Sequence, residues 1–127
     1  MHPVIRFTTD MFDVTRERPN DINPIYGESL LLWLAERAKG AVAISAPAAE
    51  DWGWYVDIDW KGRGYMLGSS ASRDETGQME WVLQVVKHRS LSERLLRREK
   101  LTQDDECVRF FRQMLEREPA FSNLTVE

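Results

Sequence analysis

Reactive side chains are scarce in this chain of 127 residues, which has one cysteine, Cys107, and two histidines, His2 and His88. A single cysteine excludes an internal disulfide framework and any cysteine-based zinc site. The sequence also lacks a phosphate loop, G-x-G-x-x-G, H-E-x-x-H, C-x-x-C and a nucleophile elbow, so no motif announces a chemistry. No apolar run approaches the ~20 residues of a membrane-spanning helix. The opening MHPVIRFTTD has neither the basic start nor the apolar stretch of a signal peptide. Together these absences predict a cytoplasmic chain without membrane attachment, cofactor or metal.

With 43% hydrophobic and 30% charged residues, the composition is that of an ordinary globular domain. At this length a fold buries roughly two-thirds of the surface its unfolded chain exposes, enough for one self-sufficient domain over 1–127. The formal net charge is −4, which argues against nucleic acid as a partner because counterion release needs a basic surface. Charge is unevenly spread. Lys87, Arg89, Arg94, Arg97, Arg98 and Lys100 face only Glu93 and Glu99 in their stretch, leaving eleven basic and nineteen acidic residues elsewhere. That basic stretch contains no aromatic residue and so lacks the stacking expected of single-strand binders; a solvated amphipathic helix is its plainer reading.

Ile5 and Phe7 alternate with polar residues and predict a first strand, with a bulge or short loop near Thr9 to Met11. A polar loop from Thr15 to Asn23 precedes ESLLLWLAERAK, Glu28 to Lys39, where Leu30, Trp33, Leu34 and Ala38 recur at helical spacing; the start is at Asn23-Pro24 or at Gly27. AVAISAPAAED reads as a loop interrupted by Pro47. Trp54, Val56, Ile58 and Trp60 alternate with Tyr55, Asp57 and Asp59; Lys61-Gly62-Arg63-Gly64 then turns the chain into Tyr65, Leu67, Ser69 and Ala71. Met79 to Lys87 is a strand apolar on both faces, and therefore central or under both helices. Ser90-x-x-Glu93 predicts a short helix over Leu91 to Arg98, and a second main helix spans Asp104 to Glu116. Leu124 and Val126 allow a final strand. The fold class is α+β: a mainly antiparallel sheet, with a central three-stranded meander and an N-terminal strand, and two main helices packed on one face.

The most unusual segment is Glu50-Asp51-Trp52-Gly53-Trp54-Tyr55, where acids and aromatics crowd round one glycine at the mouth of a strand. Large side chains with a polar edge suit a binding surface. Trp54, Trp60 and Trp81 read as core anchors, while Trp52 and Tyr55 stay open between packing and binding. Glu50, Asp51, Asp57 and Asp59 could hold a cation or act as an acid–base pair, yet a solvated strand face is the favoured reading, since the sequence points to no third ligand. Cys107 falls on an apolar helix face and reads as a buried thiol. His88, between Lys87 and Arg89, reads as exposed.

The strings FDV (Phe12 to Val14), RPN (Arg18 to Asn20), NPIYGESLL (Asn23 to Leu31), EDWGWY (Glu50 to Tyr55) and EWVLQV (Glu80 to Val85) give the chain a look similar to small bacterial cytosolic α+β proteins. That resemblance covers most of the chain and implies no activity or catalytic residue. In size, acidity, tryptophan content and layout the chain also resembles bacterial immunity proteins, which neutralise a toxin by occluding it; this resemblance of general character implies a protein-binding role. The functional expectation is a protein-binding module of immunity or antitoxin type that engages a basic partner through Glu50, Asp51, Trp52, Tyr55, Asp57 and Asp59. The alternative is a small enzyme or ligand- or metal-binding domain using Glu50, Asp51, Asp57 and Asp59, with Tyr26 or His88 assisting.

Overall fold

The computed structural model describes residues 3–87 and 102–127, and over these the chain is α+β with a seven-stranded antiparallel sheet and two α-helices. The strands are β1 (Val4–Thr8), β2 (Ala43–Ile44), β3 (Ala48–Glu50), β4 (Gly53–Trp60), β5 (Arg63–Arg73), β6 (Met79–Lys87) and β7 (Ser122–Val126). Their order is β2-β4-β5-β6-β1-β7, with β3 paired to the same edge of β4 as β2. The helices are α1 (Glu28–Arg37) and α2 (Glu106–Glu116), and a short 3-10 turn covers Val14–Arg16.

Alternation along the strands becomes one buried face because directly opposed residues share a side of the sheet. One row across the strands is Trp54, Ser69, Leu83 and Ile5; others are Val56, Leu67, Val85 and Ala71, Trp81, Phe7. All of these are buried, and all but Ser69 form one core with Leu30, Leu31 and Leu34 of α1 and Cys107, Val108, Phe111 and Leu115 of α2. Trp33 packs at the rim of this core and is half-buried, lying beside Phe12 and Phe121 with the Arg37 guanidinium 4.9 Å from its ring centre.

Two local readings are corrected, and the choice between the two starts of α1 falls on Gly27. AVAISAPAAED is not all loop: β2 and β3 both pair with β4, on either side of Pro47. Pro47 has no N–H to give to a ladder, and Ser45 bridges the break by accepting from the Asp57 N–H and donating its own to the Asp57 carbonyl. The hairpin turn is two residues, Lys61-Gly62, both at positive φ, so Arg63 and Gly64 already belong to β5. Helix α1 starts after Gly27 because Glu17 caps it from outside, its carboxylate accepting from the N–H groups of Gly27 and Ser29 and from the Ser29 hydroxyl. The expected helix over Leu91 to Arg98, and His88, lie outside the described residues.

Asp105 caps α2, accepting from the N–H groups of Cys107 and Val108, and takes the Tyr65 hydroxyl at 2.9 Å on its other oxygen. Burial, reinforced by the Asp105 charge, pushes the Cys107 thiol up to about 12. Desolvation, and then the hydrogen bond to Asp105, raise Tyr65 as well. The folded chain thus holds both protons more tightly than the unfolded one. Their contribution to stability is complete below about pH 9 and is lost as pH climbs towards 12. Urea midpoints should therefore fall between pH 9 and pH 11, and Cys107→Ala should flatten that fall. An unchanged slope in the variant would remove Cys107 from the explanation.

Candidate functional site

Strand β4 separates its residues cleanly. Trp54, Val56 and Ile58 enter the core, while Tyr55 is half-exposed and Asp57 and Asp59 are exposed. Register places Glu50 opposite Gly53, on the Tyr55 side of the sheet. Trp52, in the turn between β3 and β4, lies over the same side: a methyl group on Gly68 would stand 2.6 Å from the far edge of its indole, and Gly68 is the direct partner of Tyr55. Glu50, Trp52, Tyr55, Asp57 and Asp59 therefore share the face turned away from the core. Asp51 stands exposed in the turn itself.

These acids already have local work. Glu50 accepts from the Asp51 N–H, and Asp59 accepts from the Gly62 N–H and so fixes the hairpin turn. Asp57 and Asp59 border a shallow hollow of about 430 Å³ together with Ala43, Ile44, Ser45 and Ile58. Among the described residues no three His, Cys, Asp or Glu side chains come together as a metal site.

Sequence reasoning missed the side chains that hold the segment in place. Asn20 donates to the carbonyls of both Glu50 and Gly53, and accepts from the N–H groups of Ile22 and Asn23. Asn23 donates to the Asp51 carbonyl, and the Trp54 indole N–H donates to the Ile25 carbonyl. Arg18 pairs through Nε with the buried Glu28 carboxylate, donates to the Pro47 carbonyl at 2.8 Å, and sits 5.2 Å from the centre of the Trp54 ring. The polar loop 15–23 is thus tied at once to α1 and to the EDWGWY turn. The only hint in the sequence was its content of Arg and Asn, whose partners lie about 10 to 30 residues away.

The same clamp shapes a groove. Pairing with β4 stops at Trp54–Ser69, but β5 runs on to Arg73. Past Ser69, among the described residues, that edge meets only a bridge from Tyr26 to Ala71. The gap is a cavity of about 550 Å³, walled by Tyr26, Trp52, Ile25, Ser70, Ser72 and Arg73 among others. Tyr26, expected as a catalytic assistant to the acids, belongs to this wall instead and is 44% exposed. Compared with protein-family models, with curated proteins and with solved structures, the chain matches none.

Proposed function

We propose that this chain is a protein-binding module, of the kind that immunity proteins and antitoxins represent, and that it engages a basic partner through the core-averted face of β4 and the Trp52 turn. Among the described residues both helices pack on the core side of the sheet, and the opposite side is the one offered to the partner. One observation carries the reading: alternation along β4 and the path of the turn put Glu50, Trp52, Tyr55, Asp57 and Asp59 on one side. Exposed carboxylates in a row speed and orient encounter with a basic surface, while an indole held against a glycine supplies a rigid anchor that loses little entropy on binding. An acid–base enzyme is less well supported, since Asp57 and Asp59 are exposed and neutral-pH catalysis favours carboxylates in partly dry surroundings.

The test is capture of a partner from the chain's own cytoplasm, followed by affinity measurements with variants. Asp57→Lys should weaken retention at least tenfold and reduce its salt sensitivity. Trp52→Ala should cost about 2 kcal/mol or more, the size of an interface hot spot. Undiminished retention by both variants would rule this face out as the interface.

A further inference from the structure

We propose that the groove beside the end of β5 that outruns β4 binds a small planar aromatic monocarboxylate. Its volume, about 550 Å³, lies in the range of small-molecule sites. The charge of its lining is the decisive feature. The chain has 21 acidic residues, yet among the described residues none lines this groove, and the one charged side chain there is Arg73. The Arg73 guanidinium gives one N–H to the Gly77 carbonyl at 2.9 Å, and among the described residues no carboxylate pairs with it. Its remaining donors suit a carboxylate, the planar anion that a guanidinium fork matches.

The rest of the wall selects the body of the ligand. Tyr26 and Trp52 offer aromatic surface, Val14, Ile25 and Met79 apolar contact, and Ser70 and Ser72 hydroxyls. A flat ring gains most from such walls. A single cation favours one negative charge over a phosphate dianion. The groove is also built before any ligand arrives, because Asn20 and Asn23 hold the Trp52 turn through the carbonyls on either side of it and the bridge to Ala71 fixes Tyr26. Preorganisation of this kind removes part of the ordering cost of binding.

The probes are 2-naphthoate and its neutral analogue 2-naphthamide, titrated into the full chain and followed by amide and indole NMR shifts. Naphthoate should saturate with shifts centred on the Trp52 indole N–H, Tyr26 and Arg73, and bind at least tenfold more tightly than the amide. Arg73→Gln should erase that preference while leaving amide binding unchanged, and Arg73→Lys should restore part of it. Equal affinity for both probes, no saturation at millimolar concentration, or shifts centred elsewhere would overturn the proposal. So would an Arg73→Gln variant, with unchanged thermal midpoint, that keeps the preference. Asp57→Lys should leave naphthoate binding intact, and Arg73→Gln should leave partner retention intact, so this site and the protein-binding face can fail separately.

Discussion

Gly53→Ala is expected to destabilise the chain by at least about 3 kcal/mol, lowering its thermal midpoint by roughly 10 °C or more. Gly53 opens β4 at φ 147°, a region L side chains rarely adopt, and a Cβ there would stand 2.3 Å from the Ser69 carbonyl oxygen. Gly27, at the start of α1, closes on the same oxygen, its Cβ position also at 2.3 Å. The obstacle is backbone in the middle of a paired strand, so no rotamer change relieves it. Either the EDWGWY turn or β5 must move, and the Asn20 bonds to the Glu50 and Gly53 carbonyls stretch with it. Gly40→Ala provides the contrast. Gly40 also has positive φ, but nothing lies within 4 Å of its Cβ position, so only backbone strain of about 1 kcal/mol is expected. Thermal melts of the two variants decide the matter. Equal losses would show that strain alone, not the collision with Ser69, sets the cost at Gly53.

Arg18→Ala should cost about 2–3 kcal/mol, less than the loss of a partner from a fully buried ion pair, because the Arg18 side chain is 62% exposed and water screens it. The cost arises at Glu28, a carboxylate only 3% exposed that would keep the Arg18 backbone N–H as its remaining bond there. A double-mutant cycle separates charge from packing. In a Glu28→Gln background the buried charge is gone, and Arg18→Ala should then cost less than half as much. Arg18→Lys should fall between, since an ammonium lacks the fork that reaches Glu28 and Pro47 together. Additive losses in the cycle would show that Arg18 acts through its packing on Trp54 rather than through Glu28.

Periodicity determined the frame. Side chains alternating along Trp54 to Trp60 and Met79 to Lys87, and recurring every three or four residues in ESLLLWLAERAK, can bury an apolar surface only as strands and a helix, and this is a local property of the sequence. The acidic-aromatic face was legible for the same reason: parity along one strand places Tyr55, Asp57 and Asp59 together wherever that strand lies. Spacing put Trp33 on the right helix face without stating how far the rim of that face is covered, and Leu30, Leu31 and Leu34 take the centre.

Everything that depends on a partner far along the chain was left to the tertiary structure. Glu17 caps α1 from outside the helix, Asn20 spans two carbonyls of a turn about 30 residues away, and Pro47 divides an edge that pairs as two short strands. The groove is the clearest instance. It exists because β5 outlasts β4 and a loop bridges the difference, a mismatch of lengths that appears only when the strands are set side by side. Burial of apolar surface is encoded by local pattern, whereas polar bonds and cavities are fixed by the relative positions of distant segments, and those follow from the packed chain as a whole.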